Sequence, residues 1–350
     1  SHKGLCVAGT HGKTTTSAMC AHIMHQGHLD CNAFLGGISK NYGTNYILSK
    51  SDYVVIEADE YDRSFHWLSP WISVVTATDP DHLDIYGTKQ AYLESFSKYT
   101  SLIQPGGALI MHTGLEMQPR LQQGVELYTY GRDAGDFHAE NISIEGGEIT
   151  FDFVSPAGRV AGVRLGQPVP INIDNGVAAM AMAQLAGCTA DELLYGMATY
   201  GGVDRRFDFK IRTPRLVLLS DYAHHPKEIQ QSVASLRELY ADRHITAIFQ
   251  PHLYSRTRDF YADFARSLSL LDNVVLCDIY PAREQPIPGV TSKLIYDNLA
   301  EGVGKEMISK DEVPDYVRSH DFDVLVVLGA GDIDSYMPQI TKILQERTKD

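Results

Sequence analysis

Leu5-Cys6-Val7-Ala8-Gly9-Thr10-His11-Gly12-Lys13-Thr14-Thr15 decides the fold. Its small apolar start reads as a buried strand, and Thr14 to Gln26 reads as a helix closed by Gly27. Between them, Gly9 to Thr15 has the strand-to-helix setting of a phosphate-binding loop. Glycines let backbone N–H groups close around phosphate oxygens, and the helix N-terminus adds a partial positive charge. Lys13 is placed to reach the β- and γ-phosphates, and the Thr14 hydroxyl to ligate Mg²⁺. The strict pattern wants a glycine where Val7 stands, so placement rather than spelling carries the ATP or GTP reading.

Outward from this stretch, short apolar runs alternate with helix-length segments. Tyr53–Ile56, Ile72–Val75 and Ala108–Met111 read as strands. After the polar stretch 200–206 the alternation restarts, with strands expected at Leu216–Leu219, Ile245–Phe249, Val274–Cys277 and Val324–Val327, and helices at Pro226–Tyr240 and Thr257–Leu271. This is an α/β chain with largely parallel sheets. Residues 142–151 alternate around Gly146-Gly147 and predict an antiparallel hairpin, and a helix is expected from Asn175 to Ala186. The 350 residues suggest at least two domains, with a boundary near Gly201-Gly202, which would also serve as a hinge.

The net charge of −14 argues against binding nucleic acid or an anionic membrane through the overall field, and no apolar run approaches the roughly 18 to 20 residues needed for membrane insertion as a spanning helix. Five scattered cysteines without a C-x-x-C pair argue against a disulfide framework or a zinc site and fit a cytoplasmic protein. The opening Ser1-His2, directly before a strand, suggests a leftover of cloning and a missing upstream segment.

Two acidic segments follow strands, at the end where ligands bind in an open α/β sheet. Glu57-Ala58-Asp59-Glu60 offers Glu57 as a metal carboxylate; the plain alternative is a solvated acidic loop. In Asp79-Pro80-Asp81-His82-Leu83-Asp84, His82 is either a second-metal ligand or a structural histidine.

Together, Gly9–Thr15, Glu57–Glu60 and Asp81–Asp84 resemble the motifs of the Mur ligases, whose phosphate loop has this shortened form. Asn172-Ile173-Asp174-Asn175 resembles the family's paired asparagines beside the adenine. Gly202-Val203-Asp204-Arg205-Arg206-Phe207-Asp208 resembles its interdomain arginine motif, and Asp221-Tyr222-Ala223-His224-His225-Pro226 the start of its last domain. Phe249 to Arg258 and Tyr280 to Gly289 are most similar to the member that joins L-alanine to UDP-N-acetylmuramate. The resemblance implies a P-loop central ATPase domain over 1–204, a Rossmann-like C-terminal amino-acid-binding domain over 205–350, and an absent N-terminal UDP-binding domain.

It further implies ligation through an acyl phosphate. Lys13, Glu57, His82, Arg206 and Asp221 would be catalytic. Gly9, Thr10, His11, Gly12, Lys13, Thr14, Thr15, Asn172, Asn175, Arg206 and Asp221 would bind ATP. Gly43, Thr44, Asn45, Tyr222, His224 and Arg256 would bind the acceptor and amino acid. Thr14, Glu57 and His82 would hold two Mg²⁺ ions, with Mn²⁺ as a substitute. Arg205-Arg206 also reads as a surface salt-bridge pair, His224-His225 as an ordinary helix start, and Gly43–Asn45 as an ordinary turn. Asp79, Ile171 and Leu253 depart from the family's usual asparagine, histidine and arginine. A related ligase for another amino acid or peptide, a nucleotide-binding module and a GTPase switch are the competing readings.

Overall fold

A computed structural model describes residues 3–145 and 147–347, without the side chains of Leu83 and Asp84. Ser1, His2 and the first glycine of the Gly146-Gly147 turn therefore lie outside the described residues. Cα packing separates two units, Ser1–Asp204 and Arg205–Asp350.

In the first unit β1 (Lys3–Ala8) runs into α1 (Lys13–Gln26), then β2 (Asn32–Ser39), β3 (Thr44–Ile47), β4 (Tyr53–Ala58) and β5 (Pro70–Val75). There follow α2 (Leu83–Tyr86), α3 (Lys89–Thr100), β6 (Ala108–His112) and β7 (Glu126–Tyr130). These strands form one sheet in the order β3-β2-β4-β1-β5-β6-β7, parallel except for the β2–β3 hairpin at its edge. β1 is central and covered on both faces, which is why its sequence is a continuous apolar run. Because β4, β1 and β5 are parallel neighbours, the phosphate loop, Glu57 and the segment after Val75 all emerge at one carboxyl edge.

A second, antiparallel sheet joins β8 (His138–Glu145), β9 (Glu148–Ser155) and β10 (Gly158–Arg164). Ile149, Phe151, Phe153 and Ser155 are its buried alternates. α4 (Ile171–Ala186) and α5 (Ala190–Thr199) complete the unit. α4 starts four residues earlier than the sequence predicts, because Pro170 takes the cap position with helical dihedrals and leaves no polar cap residue as a signal. Both asparagines therefore lie within the helix. α1 is buried from Thr16 to Met24, so its polar residues find partners inside: His22 sits 2.7 Å from Tyr42 Oη and 2.9 Å from Thr199 Oγ1.

The second unit contains β11 (Asp208–Arg212), β12 (Val217–Asp221), α6 (Pro226–Leu239), β13 (Ile245–Phe249), α7 (Tyr254–Leu268) and β14 (Asn273–Leu276). α8 (Lys293–Asn298), β15 (Gly304–Met307), α9 (Val313–Ser319), β16 (Val324–Leu328) and α10 (Met337–Arg347) follow. Its sheet has the order β11-β12-β16-β13-β14-β15, parallel except for β11. Strand order reverses across β12, β16 and β13, whose carboxyl ends frame a crevice of the kind that binds ligands in doubly wound folds. α7 begins at Tyr254, ahead of the predicted Thr257, which places Arg256 inside its first turn. Among the described residues no helix is long and apolar enough to cross a membrane.

Candidate active site

The loop after β1 takes its shape from two left-handed glycines. Gly9 has φ 138° and Gly12 φ 79°. A Cβ on Gly9 would lie 2.1 Å from Thr76 Oγ1, and one on Gly12 2.8 Å from Asn175 Oδ1. Gly12 caps α1 without a side-chain bond, so the amides of the first turn stay directed out of the helix. Thr76 donates to the carbonyls of Ala8 and His11, and Thr10 Oγ1 donates to the Asp79 carbonyl at 2.8 Å. His11 Nε2 lies 3.5 Å from Asp79 Oδ2, so the departure at 79 places a carboxylate against the loop. Thr15 is half-buried on α1.

Lys13 Nζ donates to the Gly9 carbonyl at 2.6 Å and pairs with Glu60 Oε2 at 2.8 Å. Burial opposes its charge, but the carboxylates of Glu60, Glu57 and Asp59 outweigh it and raise its pKa. Burial raises the Glu60 pKa, with Lys13 pulling the other way. At this separation the ion pair is the favoured state of both.

Thr14 Oγ1 donates to Glu57 Oε1 at 3.0 Å, and Glu57 Oε2 accepts the backbone N–H of Gly36 at 2.8 Å. A Cβ on Gly36 would come within 2.2 Å of that oxygen, and one on Gly37 within 2.6 Å of Val203. His82 has φ 53° and stands edge-on to Tyr61; its Nε2 lies 3.7 Å from Asp81 and 4.0 Å from Glu60. Among the described residues no three His, Cys, Asp or Glu side chains gather to hold a metal unaided. Hydroxyl and carboxylate oxygens at the mouth of a phosphate loop do suit Mg²⁺, which keeps waters and takes the remaining ligands from phosphate.

Asn175 Oδ1 accepts from Thr16 Oγ1 at 3.3 Å, its amide donates to Asn172 Oδ1 at 3.2 Å, and Asn172 donates to Gln167. The paired asparagines are thus buried in a network beside the phosphate loop. Gly43 ends the β2–β3 turn, at φ 67° and with its N–H bonded to Ser39 O at 2.8 Å, and Thr44 and Asn45 open β3.

Two adjacent arginines open the second unit, and Arg205 lies over the Tyr222 ring at 4.7 Å. Arg205 donates to the carbonyls of Gly329 and Gly331 at 3.2 and 3.1 Å, with Asp334 at 3.4 Å. It is tied to the loop after β16. Arg206 lies over the Tyr222 ring at 4.8 Å. Asp221 ends β12, buried, with Ser232 donating to it; burial raises its carboxyl, and Ser232 and Arg206 oppose that rise. His225 caps α6 in a reciprocal arrangement with Glu228, the ordinary helix-start role. His224 instead meets Tyr222 and His252, with ring centroids 5.2 and 5.9 Å apart. Burial and the charges of His224, Arg256 and Arg283 push His252 down to about 4, so it is neutral at pH 7. Arg256 Nη1 lies 3.5 Å from His252 Nδ1, whereas Arg258 is exposed and paired with Asp259.

Sequence reasoning passed over Glu60, Gly36, Gly37, Thr76 and Glu284. The Gly36-Gly37 doublet inside a strand was a legible signal of close approach. Glu60 sat in a quoted motif with nothing to distinguish it from Asp59.

Residues 7–183 match the Mur ligase middle domain, and residues 205–331 match the Mur ligase, glutamate ligase domain. A UDP-N-acetylmuramate–L-alanine ligase of Phocaeicola vulgatus is 69% identical over 346 residues, 99% of this chain and 76% of its own length. The crystal structure of UDP-N-acetylmuramate–alanine ligase from Thermotoga maritima is similar with a TM-score of 0.80 at 26% identity, over 100% of this chain and 76% of that one. A murein peptide ligase of Psychrobacter arcticus shares the fold, with a TM-score of 0.67 at 22% identity over 98% of this chain and 78% of that one.

Proposed function

The chain belongs to the Mur ligase family, and from that premise we propose that it joins L-alanine to the carboxylate of UDP-N-acetylmuramate, with ATP split to ADP and phosphate, in peptidoglycan biosynthesis. The choice within the family rests on the 69% identity, over 99% of the chain, to a relative of that name. The observation that carries the chemistry is the Thr14 hydroxyl 3.0 Å from the Glu57 carboxylate, at the mouth of a lysine-bearing phosphate loop.

The proposed reaction forms two bonds in turn. A carboxylate oxygen of the muramoyl group attacks the γ-phosphorus, and the bond to the ADP oxygen breaks. The alanine amine then attacks the acyl carbon, a C–N bond forms, and phosphate leaves as the amine gives up its proton. Two anions meet in the first step, so charge must be neutralised there. Lys13 and the N–H groups of Gly9, Thr10, His11, Gly12, Thr14 and Thr15 bind phosphate oxygens. Arg206 and Asp221 are assigned to the nucleotide, and Asn172 and Asn175 to the adenine. Two Mg²⁺ ions, replaceable by Mn²⁺, fit Thr14 with Glu57 and His82; when bound they neutralise phosphate charge. Arg256 suits the alanine carboxylate, since a planar guanidinium matches it bidentately. Tyr222 and His224 flank the amine, and Gly43, Thr44 and Asn45 face the muramoyl group. Use of ATP and five buried, free thiols support a cytoplasmic setting.

The test is phosphate release by the full-length protein, with UDP-N-acetylmuramate, with and without L-alanine, beside Lys13→Ala. Release that requires both substrates and vanishes in the variant is expected. Release indifferent to the muramoyl substrate would overturn the proposal, and preference for glycine, L-serine or a tripeptide would reassign it within the family.

A further inference from the structure

The first turn of α7 carries Arg256 but has no cap of its own. Its cap residue is Leu253, at φ 72°, with no side-chain hydrogen bond to the turn. A left-handed leucine is strained, and an uncapped first turn leaves amide donors without partners. Both defects are met from a distant segment. Ser255 N–H donates to Glu284 Oε2 at 2.9 Å, and the Ser255 hydroxyl donates to Glu284 Oε1. Leu253 N–H donates to the Tyr280 carbonyl at 2.9 Å, and Tyr280 N–H to the Pro251 carbonyl at 2.8 Å. The segment supplying these bonds is itself strained, with Ala282 at φ 48° and a return bond from Glu284 N–H to the Pro281 carbonyl. Burial alone would raise the Glu284 carboxyl, but its bonds from Ser255 and the Tyr254 N–H hold it below the ordinary range, helped by the Arg256 charge.

We propose that Glu284 is a positioning residue for amino-acid binding: it caps α7 from another loop and thereby sets the direction of Arg256 and the adjoining His252. This rests on the reading above that Arg256 meets the carboxylate of the amino acid. Glu284 touches no substrate itself. His252, stacked on Tyr280 at 5.6 Å, is held by the same pair of segments, so one carboxylate fixes both groups.

The experiment compares wild type, Glu284→Ala, Glu284→Gln, Ser255→Ala, Arg256→Ala and the Glu284→Ala/Arg256→Ala double variant of the full-length protein. KM for L-alanine is expected to rise about tenfold in Glu284→Ala, the cost of one misdirected charged contact, with KM for ATP changed by less than about twofold. Glu284→Gln, which keeps one acceptor, falls between. The double variant is no worse than Arg256→Ala, because Glu284 acts through that residue. Parallel rises in both KM values, or additivity in the double variant, would overturn the inference. Amide hydrogen exchange at Ser255 is read in parallel and needs no turnover. Faster exchange there, with the rest of α7 unchanged, is expected in Glu284→Ala. Unchanged exchange removes the capping role even if the wild type proves indifferent to L-alanine, which would instead sink the alanine reading.

Discussion

The ammonium of Lys13 and the carboxylate of Glu60 are 2.8 Å apart, and the Glu60 side chain is only 2% exposed. The loop lysine is thus neutralised from inside the protein. Breaking a buried pair from one side costs about 3–5 kcal/mol. Glu60→Gln is therefore expected to melt well below wild type without nucleotide, and to gain more from ATP, whose phosphates replace the lost charge. Thermal melts with and without ATP check this; an equal nucleotide-induced shift in both proteins would refute it.

Gly36 is a test of the Glu57 geometry. An added methyl would meet Glu57 Oε2 at 2.2 Å and also displace the N–H that holds that oxygen. Gly36→Ala is expected to lower kcat by about 10²-fold, the scale of a 1 Å misplacement, and to raise the Mg²⁺ concentration needed for half-activity. A magnesium titration of phosphate release measures both.

Arg205 and Arg206 are predicted to fail differently. Arg205→Ala strips partners from the carbonyls of Gly329 and Gly331 and from Asp334, so it should cost about 1–3 kcal/mol of stability. Arg206→Ala removes a cation stacked on Tyr222 and should slow turnover by about 10³-fold, as loss of a phosphate-directed arginine does. Denaturant curves alongside single-turnover rates separate the two.

Much of the fold was legible because parallel strands covered on both faces leave apolar runs, as in Val54-Val55-Ile56 and Val324–Leu328. Strands β7 and β15 escaped reading because they are largely exposed and carry mixed sequences such as Glu126-Leu127-Tyr128. Lys13 and Thr14 could be picked out since they open the helix after the glycine loop that follows β1, and Glu57 since it lies at the carboxyl end of β4. Glu284 and Gly36 could not, because their roles lie in bonds to residues 29 and 21 positions away.

Acid should unfold the first unit partly through Glu192. Burial raises its carboxyl, yet bonds from the Thr189 and His28 N–H groups and the His28 ring take it from 4.5 to about 2. A depressed folded pKa stabilises fully above the unfolded value. That contribution is lost as pH falls from 4.5 toward 2. Melting temperatures over this window should drop less steeply for Glu192→Gln than for wild type.

The oxygens of Glu57 serve two masters, the Thr14 hydroxyl on the nucleotide side and the Gly36 amide of the β2–β3 hairpin on the other. Anything that redirects one bond alters the other, so loading of the phosphate loop and the posture of the hairpin turn at Gly43 share a free energy. Such coupling is reciprocal by thermodynamic necessity. A ligand that orders the hairpin will tighten the loop by the same factor, and the edge of the sheet thereby registers whether its centre is filled.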